Sequence, residues 1–213
     1  MPTVLVIYAT THGHTAKIAS RLARDLRACG LTTTCRNMTR DAAAASDYDA
    51  VVVIASLHAG HRQRSIAAWV RSNRDELRKR PSAFLSVSST AADTAPPAQA
   101  AARRCLADFL EETEWSPDLT TTVAGALQYP SYGRLLRALM RHKMKRDGRP
   151  TDTTRLHEYT DWQAVAEFAG ALASVVPDGP LMIPRLISRR QRLSGIPPSL
   201  ADANGDLVQH PEP

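Results

Sequence analysis

The densest chemistry in the chain lies near its start, in Ala9-Thr10-Thr11-His12-Gly13-His14-Thr15. These residues join an apolar, β-branched run to a helical pattern in the fewest possible steps. A loop of that kind aims several backbone N–H groups at one spot, where the helix dipole favours an anion. Thr10, Thr11 and Thr15 add hydroxyl donors, so a phosphate group fits. Thr and Gly are also ordinary turn and cap residues, and the loop by itself does not choose between the two uses. A second cluster is made of imidazoles. His12 and His14 lie on this loop and His58 and His61 on a later one, and an open parallel sheet would bring the two loops together. Four imidazoles could serve zinc or copper, but no Asp, Glu or Cys on either loop supports a metal site, and none is expected.

The third feature is electrostatic. The formal net charge is +6. Between Gln128 and Arg146 stand Arg134, Arg137, Arg141, Lys143, Lys145 and Arg146 with no acidic residue, while basic and acidic residues balance over the rest of the chain. Within that stretch Tyr132, Leu135, Leu136, Leu139, Met140 and Met144 form one stripe of a helix, and Arg134, Arg137, Arg141, Lys145 and Arg146 take much of the rest. A helix with an apolar face and an unopposed cationic face is suited to lie in a bilayer interface drawn to anionic lipid. The alternative is an amphipathic helix packed on the domain with solvated charges. Nucleic acid is not an expected partner, since no aromatic platform accompanies the cations.

These residues need a scaffold, and 213 residues with 43% hydrophobic composition suit a single α/β domain with extensions. Thr3 to Tyr8, Leu31 to Arg36, Ala50 to Ser56, Ser82 to Ser88 and Leu119 to Ala124 read as strands, and continuous apolar runs such as Val51 to Ala55 suit strands buried on both faces of a parallel sheet. Helical spacing separates them: Ile18, Leu22 and Leu26 ahead of Gly30 as a C-terminal stop, then about Ser65 to Arg80, Ala98 to Glu112, and Trp162 to Val175 behind Asp161 as N-cap. The expected fold is therefore a doubly wound α/β domain over 1–175, a five-stranded parallel sheet with helices on both faces. Residues 128–160 form a basic amphipathic insertion, and 176–213, which hold seven of the fourteen prolines, form a tail expected to be disordered. No apolar run approaches the roughly 18 residues needed to span a bilayer, and no signal peptide is expected. Cys29, Cys35 and Cys105 form no C-x-x-C pair and read as reduced packing residues.

Tyr8-Ala9-Thr10-Thr11-His12-Gly13-His14-Thr15, placed between a first strand and a first helix, resembles the phosphate loop of flavodoxin-like proteins. Ile54-Ala55-Ser56-Leu57-His58-Ala59-Gly60-His61, Pro81-Ser82-Ala83-Phe84-Leu85-Ser86-Val87, Val123-Ala124-Gly125-Ala126-Leu127-Gln128-Tyr129-Pro130 and Tyr159-Thr160-Asp161-Trp162 resemble, in order and in register, the menaquinone-dependent protoporphyrinogen IX dehydrogenase family. The resemblance runs from about Thr3 to Ala173. It implies a flavodoxin-like fold, FMN as cofactor, and oxidation of protoporphyrinogen IX to protoporphyrin IX with a quinone acceptor, a step of heme biosynthesis. The pattern departs at His12, where flavodoxins usually carry Thr. Neither the Leu57 to Arg62 loop nor the Ser88 to Pro97 loop holds an aromatic side chain to stack on a flavin, which would leave a ring face open to a flat quinone or tetrapyrrole.

On this reading the phosphate rests on Thr10, Thr11, His12, Gly13, His14 and Thr15. The ring lies between Ser56, Leu57, His58, Ala59 and Gly60 on one side and Ser86, Ser88, Ser89 and Thr90 on the other. His58 and His61 are the catalytic candidates, able to hydrogen-bond the reduced ring or relay a proton. Arg62 and Arg64 are candidates to pair with substrate propionates. The expected partners are a porphyrinogen substrate, a membrane quinone and an anionic membrane surface, contacted through Arg134, Arg137, Arg141 and Lys145, and the expected location is cytoplasmic, peripheral on the inner face of the cell membrane. Two other readings stand beside it: a flavodoxin-like quinone reductase or electron carrier with another donor, and a flavin-free membrane-binding module.

Overall fold

The computed structural model describes residues 1–10, 13–41, 43–56, 61–88, 95–128, 133, 137–138, 141–142, 145, 152 and 156–177. The chain divides into two compact units, Met1–Met182 and Ile183–Pro213, and every described residue lies in the first.

Strand and helix alternate as β1 (Thr3–Tyr8), α1 (His14–Ala28), β2 (Thr32–Asn37), a 3-10 turn (Ala45–Asp47), β3 (Ala50–Ser56), α2 (His61–Ser72), α3 (Arg74–Leu77), β4 (Ser82–Ser88), α4 (Pro96–Thr113), β5 (Leu119–Ala124), β6 (Ala126–Gln128), β7 (Leu156–Glu158) and α5 (Trp162–Val175). The first five strands pair in parallel in the order β2-β1-β3-β4-β5, and because the direction of winding reverses after β2, right-handed crossovers put helices on both faces of the sheet.

Because side chains alternate along a strand, each central strand feeds two cores. Val4, Val6, Val52, Ile54 and Leu85 face α1 and α5, where Ile18, Leu22, Leu26, Val165, Phe168 and Leu172 meet them. Leu5, Ile7, Val51, Val53 and Phe84 face the other way, towards Ile66, Val70, Leu77, Phe109 and the fully buried Trp115. Phe84 stacks on Phe109 with centroids 4.7 Å apart. The expected parallel sheet covered on both faces is present.

Two expectations need correction. The helix read from Ser65 to Arg80 is two helices, α2 and α3. Asn73 ends the first by donating its side-chain amide to the Trp69 carbonyl at 2.9 Å, while its Oδ1 accepts the Ala45 N–H at 3.0 Å, so its side chain competes for the helix's own groups. The sequence reading also placed no strand between Ala124 and Thr160. In the structure β6 and β7 pair antiparallel there, Ala126 with Glu158 and Gln128 with Leu156, so the basic stretch lies in sequence between the two strands of one antiparallel pair.

Candidate functional site at the switch point of the sheet

From β1 the chain moves to β2 on one side and then crosses back past β1 to β3 on the other. A ligand crevice belongs over its carboxyl end. The strand ends that frame the crevice are laced together: Ala9 N–H donates to the Ile54 carbonyl at 3.3 Å and Gly125 N–H to the Ser88 carbonyl at 3.0 Å. Thr10 follows β1, Ser56 ends β3 half-buried, and Ser88 ends β4 with its side chain buried.

The first helix opens as the sequence predicts. Gly13 is its N-cap with φ +88°, a left-handed conformation that costs a residue with Cβ about 1–2 kcal/mol. A Cβ at Gly13 would meet nothing within 4 Å, so the demand for glycine here is conformational. Thr10 Oγ1 accepts the Gly13 N–H at 2.9 Å, which leaves the hydroxyl's own proton to donate elsewhere. Among the described residues no side chain caps the helix, and its first turn holds no acidic residue. Uncapped N–H groups, a positive dipole end and the Thr10 and Thr15 hydroxyls form a donor set suited to phosphate. Ser86, two residues before the end of β4, is 1% exposed, and its buried hydroxyl has no hydrogen-bond partner among the described residues. A buried hydroxyl in that state is the kind of group a ligand or water satisfies. The residues present fit FMN.

His14 goes elsewhere. It is 8% exposed, its ring 6.4 Å from that of Trp162, and its Nε2 lies 2.7 Å from Thr160 Oγ1. Burial pushes its pKa below the ordinary imidazole value, with Lys17 adding to the fall and Glu158 opposing it. Its side chain is therefore engaged at Thr160, leaving its backbone N–H as what it can offer a phosphate. One of the four imidazoles considered for a metal is thereby engaged, and among the described residues no group of three or more His, Cys, Asp or Glu could hold a metal ion.

Around His14 the structure assembles residues that sequence reasoning did not single out for a site. Lys17 Nζ bonds Glu158 at 2.6 Å and lies 5.2 Å over the Trp162 ring, and Trp162 Nε1 donates to Glu158 at 2.8 Å. One signal was present in the sequence. His14 stands four residues before Ile18, and so on the same buried stripe as Leu22 and Leu26.

Thr11, His12, Leu57, His58, Ala59, Gly60, Ser89, Thr90 and Arg134 lie outside the described residues. His61 opens α2, Arg62 follows it, and Arg64 is exposed on the same helix. Arg137, Ala138, Arg141, His142 and Lys145 are helical, with Arg137 half-buried and Arg141, His142 and Lys145 exposed, in accord with the helix read there.

Residues 5–154 match the model of the flavodoxin domain family. The chain is 35% identical over 173 residues to protoporphyrinogen IX dehydrogenase (quinone) of Escherichia coli (strain K12), covering 79% of this chain and 93% of that protein. It is 36% identical over 186 residues to the Leishmania major protein of the same name, covering 86% of this chain and 78% of that one. Among solved structures, a short-chain flavodoxin associated with a non-canonical PDU bacterial microcompartment matches 83% of this chain and 99% of its own with a TM-score of 0.51 at 13% identity, a likeness of fold. The chain belongs to the flavodoxin domain family and, within it, to the protoporphyrinogen IX dehydrogenase (quinone) family of oxidoreductases.

Proposed function

We propose that this protein is an FMN-dependent oxidoreductase that oxidises protoporphyrinogen IX and delivers the electrons to a quinone at the surface of a membrane. The observation that carries the reading is the identity to two dehydrogenases of that name along most of the chain, on a sheet whose switch point opens with an uncapped helix and a left-handed Gly13.

FMN, when bound, supplies reversible two-electron chemistry. The chain's own part is to hold it. The first-turn N–H groups of α1 and the Thr10 and Thr15 hydroxyls take the phosphate, and Ser56, Ser86 and Ser88 border the place of the ring. Thr15 is 5% exposed, so a bond to its hydroxyl is shielded from water and worth more than one at the surface. His58 and His61 remain the proton-handling candidates, and Arg62 and Arg64 the candidates for substrate carboxylates.

The membrane part of the proposal rests on the charge count and on the helical Arg137, Arg141 and Lys145, spaced four residues apart on one face. Each cation near an anionic surface contributes about 1 kcal/mol, so the group supplies several. Among the described residues no helix is long and apolar enough to cross a membrane, and the proposed contact is peripheral.

The test is anaerobic. Purified protein with FMN is expected to form fluorescent protoporphyrin IX from protoporphyrinogen IX only when a quinone is supplied. Gly13→Val and Thr15→Ala are expected to weaken FMN binding by about tenfold or more in a fluorescence titration, the cost of a strained αL residue or a lost buried donor. A rate with quinone no higher than the non-enzymatic background, or unchanged FMN affinity in both variants, would overturn the activity and the cradle respectively.

A further inference from the structure

We propose that His14 is a positioning residue for the cofactor's phosphate cradle, pinning the first turn of α1 through Thr160 to the carboxyl end of β5. The inference rests on the reading that the cradle binds FMN.

The hydroxyl of Thr160 has one proton, and at 2.7 Å that proton goes to the Ala124 carbonyl. Thr160 Oγ1 can therefore only accept from His14, also at 2.7 Å, and the imidazole proton sits on Nε2. The result is a directed chain, His14 to Thr160 to Ala124, that crosses from the first residue of α1 to the last residue of β5. Ala124 is itself fixed: the next residue, Gly125, bonds the end of β4 through its N–H and receives the Tyr159 N–H at 3.2 Å. His14 and Thr160 are buried at 8% and 9% exposure, so water competes little for either bond.

The neighbours of this chain explain its importance. Deeper in, α1 is held by Ile18, Leu22 and Leu26 in the core, but its first turn precedes that packing. Among the described residues the turn is also held by the bond from Gly13 N–H to Thr10, by the bond from Lys17 N–H to the Gly13 carbonyl at 3.1 Å, by the burial of Thr15 and, at the surface, by the ion pair of Lys17 with Glu158. Lys17 is 57% exposed, and such a pair is screened and weak. Among the described residues His14 is the buried side chain that ties this turn to another element by hydrogen bond, one residue from the left-handed Gly13 whose backbone sets where the N–H groups point. A change of aim by a fraction of an ångström is felt by a bound phosphate, because the donors act only within a narrow range of distance and angle.

The tether also links the cradle to the hairpin that carries the basic insertion, since Thr160 follows β7 by two residues. The groups facing His14 are Lys17 on its own helix, Glu158 from β7, Thr160, and Trp162 at the head of α5.

The experiment compares FMN with riboflavin, which lacks the phosphate, in fluorescence titrations of the full chain. His14→Leu and Thr160→Val are each expected to weaken FMN binding about tenfold while leaving riboflavin within about twofold, as the loss of a buried hydrogen bond would. The double variant is expected to be no worse than the weaker single, because both remove the same tether. His14→Gln, whose side-chain amide can donate to Thr160, and Thr160→Ser are expected to restore near wild-type FMN affinity. Should His14→Leu fail to fold, the Thr160→Val and Thr160→Ser pair decides. Wild-type protein that binds neither flavin overturns the FMN reading and this inference with it. Wild-type protein that binds FMN, with variants that keep full affinity or lose FMN and riboflavin equally, overturns the inference alone.

Discussion

At the scale of single residues, His14 shows how an environment redefines a side chain. Its loop and its chemistry suggest a ligand, yet burial and Thr160 make it part of the frame. The consequence is a pH dependence with a definite sign. Its folded pKa lies below the ordinary 6.5, so the folded state binds fewer protons than the unfolded chain in the window beneath that value. The stability His14 contributes is complete above about pH 6.5 and is lost as the pH falls from there towards the folded pKa. The melting temperature of wild type should fall more steeply between pH 7 and pH 5 than that of His14→Gln. Parallel curves would show that His14 does not titrate against the fold. Of the residues expected at the cofactor, Thr10, Gly13 and Thr15 had a legible place in the fold, because each follows from backbone need: a left-handed turn, a helix start, a hydroxyl at its rim. Ser86 was legible as a position on β4, but that its hydroxyl would lack a partner among the described residues depends on what packs over it.

At the scale of elements, β3, β4 and β5 run as the sequence predicts, as does α5, where the Asp161 carboxylate accepts the N–H groups of Gln163 and Ala164 at 2.9 and 3.1 Å. These are local signals, apolar runs and a capping oxygen, that need no distant partner. The basic segment belongs to this scale too. Replacing Arg134, Arg137, Arg141 and Lys145 by Gln keeps helix propensity while removing the cations. FMN content should survive, binding to anionic vesicles should fall sharply, and turnover should fall with a membrane-embedded quinone but not with a soluble one. A parallel variant, Leu136→Asp with Leu139→Asp, separates a lipid-facing stripe from a packed one. Loss of folding there, together with unchanged vesicle binding by the Gln variant, would sink the membrane-surface proposal and leave the fold.

At the scale of the whole molecule, two cores share one sheet, and the described core closes with Val176, 4% exposed and packed with the α1 and α5 residues. Ending the chain after Pro177 should leave the melting temperature within about 2 °C, since a loss of 1 kcal/mol would move a domain of this size by about 2–4 °C. A larger fall would assign the tail a structural part. The sequence by itself determined the periodicity, and with it the alternation of strand and helix, because a strand buried on two faces and a helix buried on one can be read from apolar spacing alone. It also located the entire charge excess in one stretch. Only the tertiary structure decided where polar side chains finish their hydrogen bonds. The hairpin of β6 and β7, the turn of His14 into Thr160, and the break at Asn73 each pair residues far apart in the chain, and a hydrogen bond between positions 146 residues apart leaves no periodic trace in the sequence.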